Sequence, residues 1–140
     1  MDTIIKLELA AILFLCFGCS KIETKISMLK IGKITEMKLG ETAVNSKYGL
    51  SLRMESLDDY RCPKEVVCVW GGMATAAFHL KTKNGEYNFT LEKHGLEDGA
   101  NSGAFITEGM KFEIVDVVPY PVAGTKQPQK TVRILVDNIN

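Results

Sequence analysis

The stretch that most restricts the fold is MATAAFHLKTKNGEYNFTLEK, Met73–Lys93. Its first half sets Ala74, Ala76, Phe78 and Leu80 on alternate positions, with Thr75, Ala77, His79 and Lys81 between them. Its second half repeats the pattern with Tyr87, Phe89 and Leu91. Side chains that alternate with a period of two belong to an extended chain, so each half predicts a strand with one buried face. Asn84-Gly85 lies between the halves, and this dipeptide is the strongest short hairpin signal. A hairpin with an apolar face needs a second layer to cover it.

The rest of the chain offers that layer as more strand. Leu50, Leu52 and Met54 alternate with Ser51, Arg53 and Glu55, and Val132, Ile134 and Val136 alternate near the C-terminus. Met37 and Leu39, a turn near Gly40, then Ala43 and Val44 give a shorter pair. In MKFEIVDVVPY the apolar set slips from Phe112 and Ile114 to Val115 and Val117, which predicts a bulge or a fully buried strand end. Pro119, Pro121 and Pro128 confine Pro119–Lys130 to a loop, because proline cannot sit in a central strand. HGLEDGANSGAF, from His94 to Phe105, reads as a second loop from its Gly, Asn and Asp content. No segment beyond the N-terminal run keeps a helical period over ten residues, and no internal repeat is visible. The expected fold is all-β: an antiparallel β-sandwich or small barrel of about 6–8 strands over residues 33–140.

The N-terminus has a different character. Leu9–Gly18 carries no charge and ends at Cys19. It covers only about half of a bilayer's hydrocarbon core and matches the apolar part of a secretory signal. A helix buried in the domain would show one polar face, and this run has none. Gly18 directly before Cys19 resembles the lipobox of bacterial lipoproteins, with Cys16 standing where that pattern usually has leucine. The resemblance implies a signal peptide over residues 1–18, acylation of Cys19 with palmitate-type chains, and a tether over residues 19–32. Membrane lipid is then the first partner, held by more than one chain and so stably. Serine and lysine after Cys19, with no aspartate next to it, point to the outer membrane of a bacterial envelope.

Of four cysteines, Cys16 leaves with the signal and Cys19 carries lipid, so Cys62 and Cys68 remain. Two cysteines outside the cytoplasm are expected to form one disulfide. Zinc is a poor competitor: the spacing is C-x5-C, there is no second pair, and His79 is eleven residues past Cys68. A redox dithiol would favour C-x-x-C beside a βαβ unit, and neither is present. Pro63 stiffens the start of the loop by fixing φ. Trp70, two residues past Cys68, is expected to share its side of a strand and pack over the sulfurs. Gly71 and Gly72 permit a bulge or close backbone approach.

RCPKEVVCVWGGMA is similar to a pattern in small bacterial secreted proteins and lipoproteins of uncharacterised function. That pattern is Arg-Cys-Pro, then Val-x-Cys-x-Trp-x-Gly-x-Ala, filled here by Arg61, Cys62, Pro63, Val66, Cys68, Trp70, Gly72 and Ala74. Val117–Pro121, VVPYP, followed by a final strand also fits, whereas Tyr60 stands where the pattern has serine. The resemblance implies a β-rich lipoprotein domain and carries no known activity.

Seventeen basic and seventeen acidic residues balance, which disfavours a nucleic-acid surface. His79 falls on a strand's polar face and His94 beside a glycine, both solvated positions. Asp58-Asp59 and Glu97-Asp98 lack the alternating oxygens of a calcium loop. No nucleophile elbow, P-loop or H-E-x-x-H occurs. No catalytic residue, metal or cofactor is therefore expected. The reading is a non-enzymatic binding or structural module for an envelope partner, with Gly95–Ala104 and Tyr120–Lys130 as recognition loops. The alternative is an extracellular protease inhibitor that presents the disulfide-held loop Pro63–Val67.

Overall fold

A computed structural model describes residues 24–95 and 103–140. The expected signal peptide, Cys19, the first part of the expected tether and most of the Gly95–Ala104 loop lie outside the described residues. Among the described residues nine strands occur: β1 (Ile26–Met28), β2 (Ile34–Lys38), β3 (Thr42–Asn45), β4 (Leu50–Asp59), β5 (Met73–Lys81), β6 (Glu86–His94), β7 (Ala104–Thr107), β8 (Met110–Val118) and β9 (Thr131–Asn138). Among the described residues there is no helix. The strands form a five-stranded sheet, β1-β3-β4-β5-β6, and a four-stranded sheet, β2-β9-β8-β7. Every pairing is antiparallel except β1 with β3. The chain is an all-β sandwich.

The alternation in the sequence becomes the core. Leu52, Met54, Ala74, Ala76, Phe78 and Leu80 face inward from one sheet, and Met37, Phe112, Ile114, Val117, Val132, Ile134 and Val136 meet them from the other. Between the sheets Phe89 stacks on Phe105 with centroids 4.0 Å apart, and tilts against Phe112 at 5.6 Å. The slip between Ile114 and Val117 is a bulge: the register with β9 shifts between Ile114 and Asp116, which keeps Val117 buried.

Nine strands exceed the expected 6–8 by one; the two that alternation does not mark, β1 and β7, are only three and four residues long. β1 also corrects the domain boundary. Leu29 is fully buried and its carbonyl accepts a hydrogen bond from Asn45 Nδ2 at 2.8 Å, so residues 24–32 belong to the domain rather than to the tether. The β5–β6 turn differs in kind from a two-residue hairpin. It spans Thr82–Gly85, and the Thr82 Oγ1 accepts from the amides of Asn84 and Gly85 at 3.1 Å each. Asn84 Nδ2, Tyr87 Oη and Thr82 Oγ1 all donate to the Glu108 carboxylate, so the β7–β8 turn in the opposite sheet clasps it.

Strand directions sort the connections. β4 and β8 end, and β5 and β9 begin, at one end of the sandwich, which carries the Tyr60–Gly72 and Pro119–Lys130 loops. The Thr82–Gly85 turn, Glu108 and the β3–β4 turn lie at the other end. The candidate residues gather at the first of these.

Candidate functional site

β4 delivers Asp59 to the end of the sandwich, and the chain then turns so that Arg61 folds back onto it. Arg61 Nε and Nη2 donate to the two Asp59 carboxylate oxygens, both at 2.8 Å. This is the two-pronged geometry that guanidinium and carboxylate share. Nη2 also donates to the Val117 carbonyl at 2.7 Å, and Nη1 lies 3.7 Å from Asp116 Oδ1. The Tyr120 ring covers the guanidinium at 4.5 Å. Lys130 Nζ completes the cluster, 3.1 Å from Asp59 Oδ2 and 2.8 Å from the Pro119 carbonyl. Arg61 is only 3% exposed, so water contributes little and the protein supplies the partners.

The electrostatics follow from that arrangement. Burial by itself would raise the Asp59 pKa, but hydrogen bonds from Arg61 and Lys130 outweigh it and hold the carboxyl below its ordinary value. Burial pushes the Tyr120 hydroxyl up, with Arg61 opposing, and that hydroxyl is buried without a hydrogen-bond partner. Asp59 is committed to two cations, so the cluster acts as a brace. It ties the loop after β4 to the loop after β8.

On this brace stands the Tyr60–Gly72 loop. Tyr60 N donates to the Met73 carbonyl at 2.9 Å and Cys62 N to the Gly71 carbonyl at 2.8 Å, so the two arms stay paired past the strand ends. Cys62 and Cys68 form the expected disulfide, with Cα atoms 6.0 Å apart. Gly72 has φ +68°, and a Cβ there would overlap the Tyr60 carbonyl oxygen. Only glycine meets both conditions without strain. Lys64 Nζ lies 5.3 Å from the Tyr120 ring, and the Ala123 amide donates to Glu65 at 3.5 Å, so the two loops form one surface.

Trp70 is where the sequence expectation fails. Residues 60–72 form no strand, so the alternation that would place Trp70 beside Cys68 is absent. Trp70 lines a shallow groove with Cys62, Val66 and Cys68, yet its side chain is 63% exposed. Val67 is 100% exposed, Val69 is fully exposed, and Val66 and Tyr60 also face solvent. The Tyr60–Gly72 loop thus holds five apolar or aromatic side chains out of the core, Val66 and Val67 within the disulfide ring and Tyr60, Val69 and Trp70 on its flanks.

The structure brings Arg61, Cys62, Pro63, Cys68, Trp70 and Gly72 together with the Tyr120–Lys130 loop. Gly95 adjoins them through its amide, which donates to the Gly72 carbonyl at 2.9 Å. His79 lies apart, 3.2 Å from Glu86, and His94 is 4.0 Å from Glu92. Among the described residues no group of three or more His, Cys, Asp or Glu is placed to hold a metal. Sequence reasoning missed the roles of Asp59, Asp116 and Lys130. Asp59-x-Arg61 carries a faint signal, since residues two apart across a turn can pair; Asp116 and Lys130 join only through tertiary packing. Comparison with protein-family models, curated proteins and solved structures finds no significant match.

Proposed function

We propose that the chain is an envelope lipoprotein, anchored by acylated Cys19, whose sandwich is a non-enzymatic binding module. Its contact surface for an envelope protein is the loop Arg61–Gly72 with the adjoining Tyr120–Lys130 segment. The observation that carries this reading is Val67, Val69 and Trp70 in solvent, Val67 inside the Cys62–Cys68 ring and Val69 and Trp70 directly after it. Apolar side chains held out of a core mark contact surfaces, and tryptophan is among the residues that dominate binding energy. The disulfide and the Arg61 brace remove loop entropy before any partner arrives, which favours affinity.

The test uses the acylated chain in its envelope, with a photo-crosslinking residue at position 67. A discrete adduct is expected, weakened about 30-fold or more by Trp70→Ala, the factor for a central hot spot of about 2 kcal/mol. The same residue placed at position 47 should give no such adduct. Equal, Trp70-independent labelling from both positions would sink the proposal.

A second reading shares the exposed loop. Val66 and Val67 protrude between the bridged cysteines, as the segment a protease inhibitor presents would. Absence of inhibition across serine, cysteine and metalloprotease panels at micromolar concentration would remove it.

A further inference from the structure

A second exposed apolar area lies where the chain enters the domain, away from the disulfide loop. β1 and β2 are edge strands of different sheets and face one another across the open side of the sandwich. Ile26 is 65% exposed, Met28 71%, and Ile34 about half. Two shallow grooves that share Ser27 and Met28 run together here, one reaching Val44 and Lys47 and the other Lys30, Ile34 and Arg133. Lys30, Lys33 and Lys47 are exposed and, among the described residues, have no carboxylate within ion-pair distance. Of the acids nearby, Glu36 pairs with Arg133 at 3.0 Å and Glu41 with Lys25 at 3.2 Å, while Asp137, beside Gly32, has no ion-pair partner among the described residues.

We infer that this face is a membrane-docking surface, in which Ile26, Met28 and Ile34 enter the headgroup layer while Lys30, Lys33 and Lys47 engage anionic phospholipid. The inference rests on the proposed acylation of Cys19. Six residues separate Cys19 from Ile26, and the seven extended steps between them reach roughly 25 Å. The lipid would therefore confine this face, more closely than any other described part of the domain, to the neighbourhood of the bilayer. Apolar side chains with unpaired Lys30 and Lys47 at the groove margins suit a surface that is greasy inside and anionic outside. A partner's β-strand is the competing occupant, but β1 offers only three residues of edge. Docking here leaves the loop with Val67 and Trp70 at the far end of β4, a strand of ten residues and about 30 Å, directed away from the lipid.

The experiment reads depth. Trp70 is the only tryptophan, and it reports the far end. A second reporter, Ile34→Trp in a Trp70→Phe background, reports the near face. The acylated mature chain is bound to vesicles of phosphatidylethanolamine and phosphatidylglycerol that carry brominated acyl chains. Tryptophan at position 34 should be quenched and native Trp70 should not. In the Cys19→Ser chain, which has no lipid of its own, phosphatidylglycerol vesicles should still bind. Lys30→Glu, Lys33→Glu and Lys47→Glu together should weaken that binding about 100-fold, and phosphatidylcholine vesicles should bind little. An acylated, vesicle-bound chain with position 34 unquenched would overturn docking and leave the anchor standing. Unacylated Cys19 with position 34 still quenched on anionic vesicles would remove the anchor and leave docking standing. Quenching of Trp70 instead, or concentration-dependent self-association blocked by Ile34→Asp with no lipid binding, would also overturn it.

Discussion

Asp59 and Arg61 share two parallel hydrogen bonds where water is nearly excluded, and that makes them the most sensitive pair in the domain. Arg61→Ala leaves Asp59 buried with Lys130 alone, and a buried pair broken on one side costs about 3–5 kcal/mol. Urea denaturation should show that loss, with Arg61→Lys recovering only part, because an ammonium cannot make both bonds. The pH dependence has a definite sign. Asp59 is held below its ordinary value of 3.8, so as acid is added the unfolded chain takes up the proton first. Stability from the pair is complete above pH 3.8 and is lost as the pH falls through the folded-state value. Glu41 acts in the same direction below 4.5, where burial opposes and the Lys38 amide and Lys25 prevail. Thermal melts between pH 6 and pH 2.5 should decline at the acid end, less steeply in Asp59→Asn from its lower starting stability. Gly72→Ala should cost about 2–4 kcal/mol, because it combines a positive φ with a backbone overlap. The sequence marked Gly71 and Gly72 together as permitting close backbone approach, and the structure shows that Gly72 is the one that requires it. The ionic brace was not legible in the sequence, since three of its members come from chain segments more than fifty residues apart.

Among the elements, the disulfide loop is the least dependent on the core. Cys62 and Cys68 close seven residues, worth roughly 2.4 kcal/mol of unfolded-state entropy. Cys62→Ala with Cys68→Ala should lower stability by about that amount while the β-sheet circular dichroism persists. Limited proteolysis should then cut within 62–72 faster than in the parent chain. The long strands β4, β5, β6, β8 and β9 were readable because each repeats its alternation several times. β1 and β7 were not, because three or four residues hold too few repeats and pairing with a neighbour defines them. The Thr82–Gly85 turn shows the same limit. Asn84-Gly85 marked the hairpin, but Thr82 and the distant Glu108 chose its geometry.

For the whole molecule, the two sheets are locked by aromatic contact across the interior. Phe89 stacks on Phe105 and touches Phe78 and Phe112, so it bridges both layers. Phe89→Ala should cost about 3–5 kcal/mol by equilibrium unfolding, with both sheets lost in one transition. The sandwich also separates its surfaces. One end carries the braced, apolar disulfide loop, and the β1–β2 side carries the exposed apolar face with Ile26, Met28 and Ile34. By itself the sequence determined the all-β class, the long strands and their inward faces, and the cysteine pairing, because period-two alternation and cysteine count are local or arithmetic properties. Tertiary structure alone decided that Trp70 faces solvent, that Arg61 lies beneath the loop, and that Leu29 begins the core. Each of those depends on which distant segment arrives alongside, and a buried ion pair or an exposed tryptophan has no period for a sequence to display.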